Sequence, residues 1–202
     1  VQVVLTRDAD VYVPLDERTA IANRAGADLF VSIHANAAAA RSARGVEIFS
    51  VALEARDEAA RLLPERENAA YREASPASPD DPLASILGDL AAADQLRESD
   101  EFARFANKEV AALVAEVPSR GVKQAPFVVL MGVQMPAALV EIGFITNPEE
   151  ARDLASPLYR DRVADALARA VFEFAHRYDA RRGVPRPARN PEPTKSSRDA
   201  AV

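Results

Sequence analysis

Two ionisable residues stand where ionisable residues are expensive. His34 closes the apolar run that begins at Leu29, and Glu141 lies inside Ala137-Ala-Leu-Val-Glu-Ile-Gly-Phe144. A carboxylate within a buried strand costs several kcal/mol unless it is paired or bound to something. A His and a Glu converging at strand ends would supply a metal ligand and a general base. Taken singly, each has a plainer reading: a hydrogen-bonded histidine at a strand end, and a glutamate paired with a nearby arginine. Spacing alone leaves both readings open.

The elements that must position them follow from the apolar pattern. Val1–Leu5 reads as a buried strand ending at Thr6-Arg7-Asp8. Leu15–Ala25 has helical spacing, with Asp16 and Glu17 near its start where the dipole favours acids, and Gly26 stops it. Residues 28–34 form a short apolar strand, so strand, helix and strand follow one another as in a parallel sheet. Strands are also expected over Gly45–Val51, Pro126–Leu130 and Ala137–Ile142. Glu54–Ala74 is helical in character, although Pro64 must kink, start or break it. Ser75–Pro82 is a loop by composition. Leu83–Leu96 and Glu101–Val117 read as two helices, the second capped by Ser99. Asn147 caps a short helix that opens at Pro148, and Leu158–Tyr178 is a long amphipathic helix. The fold class is α/β: a mostly parallel twisted sheet with helices on both faces. Such sheets bind ligands beyond the carboxyl ends of their strands, which is where His34 and Glu141 fall.

Composition narrows the function. The 202 residues suit one sizeable core. A net charge of −6 argues against nucleic acid as a partner. No apolar run approaches the roughly 20 residues of a membrane span. The chain has no cysteine, so any metal site must use His and carboxylates. No Gly-rich phosphate loop and no His-Glu-x-x-His helix is present.

One ordered series of segments goes further: Thr6-Arg7-Asp8, Leu15-Asp-Glu-Arg18, Ala22-Asn23, Ala27–Asn36, Gly45-Val-Glu47, Gln124–Leu130 and Pro136–Asn147. It resembles the zinc-dependent N-acetylmuramoyl-L-alanine amidases of the cell-separation type, over about Val1–Tyr178. The Ser-Ile-His-Ala-Asn and Glu-Ile-Gly-Phe-Ile-Thr-Asn stretches are its most specific parts. The resemblance implies that His34 is a zinc ligand and Glu141 the catalytic glutamate. It implies a Zn2+ cofactor, peptidoglycan as substrate, and hydrolysis of the bond between N-acetylmuramic acid and L-alanine. It implies a role in cell-wall remodelling and cell separation, in the periplasm or outside the cell. The family's other two zinc ligands, a His in a Gly-His-Gly loop and a Glu, find no match, so 1–178 reads as an N-terminally incomplete catalytic domain. The chain as numbered is expected to be inactive, with roughly 50 or more further residues ahead of Val1. No signal-peptide pattern occurs in it, which says nothing about export.

The remaining residues carry smaller expectations. Asn36 either orients His34, contacts substrate, or only shapes the turn after its strand. Arg7 pairs locally. Glu47, also on a strand, either lies near the site or points outward to solvent, and solvation is the expectation. His176 is a surface or core-edge residue. Glu67-Asn68 matches a family motif without a role derivable from sequence. Residues 62–96 form an insertion that resembles the regulatory helix of some such amidases. One of Glu65, Glu67, Glu73, Asp80 and Asp81 would block the metal there until an activator protein displaces it; the alternative is a solvated linker. Residues 179–202 are rich in Arg, Pro and Ser and read as a disordered tail. The competing functional reading is a non-catalytic peptidoglycan-binding or regulatory module that keeps the fold.

Overall fold

A computed structural model describes residues 1–52, 62–69, 93–113 and 119–183. Four strands form one sheet: β1 (Phe30–Asn36), β2 (Glu47–Val51), β3 (Val122–Ala125) and β4 (Ala137–Phe144), in the order β1-β4-β2-β3. The β1–β4 and β2–β3 pairings are parallel and the central β2–β4 pairing is antiparallel, so the sheet is mixed. Helices α1 (Leu15–Arg24), α2 (Ala93–Ala111), α3 (Val128–Met131), α4 (Pro148–Ala155) and α5 (Pro157–Arg181) surround it, and residues 62–69 are also helical.

Period-two alternation divides the core. On β4, Ala137 and Leu139 face one side with Phe49 and Val51 of β2, while Ala138 and Val140 face the other with Val46 and Ile48. The first side is covered by α1, α3 and Leu63 of the 62–69 helix. The second is covered by α2 and α5, whose buried residues Phe102, Ala103, Ala106 and Val110 meet Val163, Ala166, Leu167, Ala170 and Phe174. These repeat at three and four residues, the spacing of one helix face. Alanines at the crossing let the helices approach, and Phe102 meets Phe174 edge-on at 5.6 Å. Among the described residues, no helix is long and apolar enough to cross a membrane.

Helix α1 is held by its own sequence and by one tether. Asp16 and Glu17 occupy the first turn, and Gly26 follows the end with φ +58°. Asn23 donates to the Gly132 carbonyl at 2.9 Å and accepts from Gln134 N at 2.9 Å, fixing α1 to the segment before β4. Gly132 permits this approach: a Cβ there would lie 2.8 Å from Thr19.

Four expectations are corrected. Val1–Leu5 is neither strand nor buried; Val1, Val3, Val4 and Leu5 are all exposed, and the apolar alternation there meets no sheet partner among the described residues. Pro126–Leu130 is not a strand: β3 ends at Ala125, and residues 128–131 turn into α3, since a short apolar run does not distinguish strand from buried helix. Ser99 does not cap a helix but lies within α2, where its hydroxyl donates to the Gln95 carbonyl at 2.7 Å and accepts from Ala137 N at 3.0 Å. The final helix continues to Arg181, so the tail cannot begin at 179. The expected loop at 75–82 and the tail beyond 183 lie outside the described residues, as does most of the 62–96 insertion.

Candidate active site

Because β2 runs against β4, its N-terminal end shares a rim with the C-terminal ends of β1 and β4. Register then sets three chemical side chains in one row: His34 of β1 is the partner of Glu141 on β4, and Glu141 is the partner of Glu47 on β2. All three share the parity of Leu139 and Phe49, and so the face covered by the 62–69 helix. His34 and Glu141, which sequence places 107 positions apart, are neighbours across one strand pairing.

Glu141 is 1 % exposed, and among the described residues neither of its carboxylate oxygens has a hydrogen-bond partner. Burial raises its pKa to about 8, with the charges of Glu67 and Glu47 adding to the rise and Arg66 opposing it. A buried acid in that state holds a proton at neutral pH and gains most from a bound cation or a proton-transfer partner. His34 makes two contacts. Its Nε2 lies 3.0 Å from Ser32 Oγ and its Nδ1 lies 3.4 Å from Glu67 Oε2. Burial moves its pKa below the ordinary value, Glu67 works against that, and Arg18 adds to it. A neutral imidazole is the form that ligates metals.

The 62–69 helix brings Glu67 to this row and is fastened on either side of it. Arg66 donates to the Ala37 carbonyl at 2.6 Å, just after β1. Asn68, which is buried, donates to the Pro126 carbonyl at 2.8 Å and accepts from Val128 N at 3.0 Å. Asn68 thus closes the backbone of the β3–α3 turn, and Glu67 points from the adjacent position to His34. The pair has a physical role that sequence reasoning did not supply; its cue was an Asn beside an acid in a helix, next to a sheet with a histidine at its edge.

The other candidates separate. Asn36 is buried and its side chain accepts from Ala37 N at 2.7 Å, so its hydrogen bond shapes the turn. Arg7 donates to the Val11 carbonyl at 3.3 Å, a local contact with backbone and not with an acid. Glu47 is not solvated: it is 4 % exposed and paired with Lys123 Nζ at 2.5 Å and Arg120 Nε at 3.4 Å. The sequence suggested solvation because both partners lie more than 70 positions away. His176 is exposed on α5, on the far side of the sheet.

Glu150 fixes the rim. From the first turn of α4, capped by Asn147, its carboxylate accepts from Gly45 N at 2.6 Å and from Phe144 N at 2.7 Å. It therefore joins the entry to β2 with the exit of β4. Gly143, with φ +148°, supplies the backbone conformation that this exit needs and that other residues rarely adopt.

Fold and row together define an α/β protein whose chemical side chains gather at one strand-end rim, around an unpartnered buried acid. The model of the N-acetylmuramoyl-L-alanine amidase family matches residues 1–173, and the chain belongs to that family. It is 38% identical over 178 residues to the N-acetylmuramoyl-L-alanine amidase AmiA of Escherichia coli, covering 87% of this chain and 61% of that protein. It is 33% identical over 183 residues to AmiC of Neisseria meningitidis, covering 90% of this chain and 44% of AmiC. Among solved structures, the N-acetylmuramoyl-L-alanine amidase from Clostridium difficile 630 superposes with a TM-score of 0.61 at 26% identity, over 87% of this chain and 72% of that one. The chain thus spans about three-fifths or less of the length of these two sequence relatives.

Proposed function

We propose that this chain forms part of a zinc-dependent hydrolase that cleaves the amide bond between N-acetylmuramic acid and L-alanine in peptidoglycan. The observation that carries this reading is Glu141: a buried carboxylate without a hydrogen-bond partner among the described residues, one strand pairing from His34. A purely structural protein has no use for such a group, which costs several kcal/mol to bury charged. For the same reason a non-catalytic wall-binding module is the weaker reading.

The donor chemistry fits zinc in part. His34 is the imidazole this chain offers, and Glu141 is a base without competing hydrogen bonds. A catalytic zinc needs three protein ligands, and among the described residues no group of three or more His, Asp or Glu is placed to hold a metal. Bound zinc would lower the pKa of a coordinated water to about 7 and polarise the amide carbonyl. The chain's own steps are proton handling. Glu141 accepts the proton of the attacking water and delivers it to the departing amine nitrogen, so that the L-alanine end leaves neutral. Its dry surroundings raise its pKa, so Glu141 would act as a base once a nearby cation favours its carboxylate, and it returns to that carboxylate after delivering the proton. Ser32 and Glu67 on the two ring nitrogens fix the plane of His34 before any metal is bound.

The same site suggests restraint. Of the acids considered for blocking the metal, Glu65 and Glu67 are among the described residues; Glu67 lies against His34, and its helix lies over the row. A carboxylate there competes with water for the open position, and an activator protein that lifts this helix would relieve it. Residues 73–82, which the sequence reading also implicated, lie outside the described residues. The setting that goes with this activity is the cell envelope, periplasmic or extracellular, in cell-wall remodelling and cell separation.

The test is zinc content and muropeptide release by the intact protein, with and without Glu141→Gln. The variant should keep its zinc and lose turnover. Equal turnover would remove Glu141 from its role, and an intact protein that neither binds zinc nor releases peptide would favour the wall-binding module.

A further inference from the structure

The row of side chains does not end at Glu141. Across the sheet from it, Glu47 is gripped by two cations, Lys123 Nζ at 2.5 Å and Arg120 Nε at 3.4 Å. Among the described residues, one carboxylate shared by two cations leaves this trio a net charge of +1. Exposure is graded through the trio: the side chains of Glu47, Lys123 and Arg120 are 5%, 19% and 39% exposed. The uncompensated charge therefore opens to solvent at Arg120. Its guanidinium is also set in place, over the Phe144 ring at 5.3 Å from the centroid, while its backbone N donates to the Val46 carbonyl at 3.0 Å. Only its Nε is engaged by Glu47, and a guanidinium offers a fork of further donors suited to a carboxylate.

The substrate of the reaction proposed above has matching asymmetry. Once amidated, the lactyl side carries no charge near the scissile bond, whereas the departing peptide carries carboxylates. Geometry agrees. Arg120 lies two residues before β3, which is two strand spacings from β4, or about 10 Å at about 4.8 Å per strand. A carboxylate two residues into an extended peptide lies about 7 Å from the scissile nitrogen, and the arginine arm spans the rest. We infer that Arg120, braced by Glu47 and Lys123, binds an anionic carboxylate on the second residue of the leaving peptide. This rests on the reading of the chain as an amidase and extends it by naming the part of the substrate that each half of the rim holds.

The probes are N-acetylmuramoyl-L-alanyl-D-glutamate with a free α-carboxylate, and the same compound with that carboxylate as the amide. Both are titrated against the intact protein, then assayed for cleavage. The unmodified protein should bind the acid about tenfold more tightly than the amide, a preference weakened by salt. Arg120→Gln should bind both at the level of the amide, raising KM for the acid about tenfold while kcat stays within about twofold. Arg120→Lys should restore part of the preference. Arg120 is on the surface, and an unchanged melting curve for each variant separates a binding defect from misfolding. If the unmodified protein treats acid and amide alike but cleaves both, or if Arg120→Gln keeps the preference, the assignment of Arg120 falls and the amidase reading stands. If neither compound is bound or cleaved, the amidase reading itself fails and this assignment with it.

Discussion

The two halves of the rim bury a carboxylate to nearly the same depth and treat it in opposite ways. Among the described residues, Glu141, 1 % exposed, has no hydrogen-bond partner; Glu47, 4 % exposed and directly across the β2–β4 pairing, has two cations. The same residue type on the same face is therefore neutralised by ion pairing on one side and by protonation on the other. What differs is what the flanking strand supplies: β1 offers an imidazole, whereas β3 offers Lys123 with Arg120 just before it. Burial alone does not mark a chemical residue; burial without a partner does.

Substitutions can break this contrast or sharpen it. The largest effect should come from Glu141→Gln, with muropeptide release falling about 10³-fold because the proton acceptor is gone. A fall of less than tenfold would make the two carboxylates alike. The next concerns stability of the metal-free protein. The folded state holds the Glu141 proton up to about pH 8, whereas the unfolded chain releases it near the ordinary value of 4.5. More protons are bound when folded, so this contribution to stability is complete below about 4.5 and fades as pH rises to about 8, by on the order of 5 kcal/mol. Urea melts across pH 5–9 should show the decline, and Glu141→Gln should flatten it. Glu47→Gln should do the reverse, costing about 2–3 kcal/mol at neutral pH because Lys123 is left without its counter-charge. Asn68→Ala should cost about 1–2 kcal/mol by freeing the Val128 N–H and the Pro126 carbonyl, with the loss seen first as faster hydrogen exchange at Val128. Arg169→Ala, which removes the exposed pair with Glu109 between α2 and α5, should change the melt by less than about 0.5 kcal/mol.

The legible parts of the sequence were those where one physical signal acted alone. Helix α5 follows from its three- and four-residue spacing, and α4 from Asn147 and Pro148, whose cap geometry the structure reproduces. His34 and Glu141 stood out because charge inside an apolar strand is costly, and they are register partners. The misread parts depend on distant partners. Val1–Leu5 alternates like a strand, but a strand needs a neighbour and this segment has none among the described residues. Residues 126–130 looked like a strand until Asn68, some 60 positions earlier, closed their backbone into a turn. Glu47 looked solvated because Lys123 and Arg120 are remote in the chain. The antiparallel β2–β4 pairing, which brings Glu47 to the rim at all, has no local signature.

The Glu150 carboxylate ties Gly45 and Phe144 together through two short hydrogen bonds, so the strand ends beneath the chemistry cannot splay apart one at a time. The floor of the cleft is in effect a fixed ruler, with the spacing between imidazole, acid and arginine set before anything arrives. Above that floor the 62–69 helix rests on Leu63 and on the side-chain bonds of Arg66, Glu67 and Asn68, so any give in the cleft belongs to this cover and not to its seat.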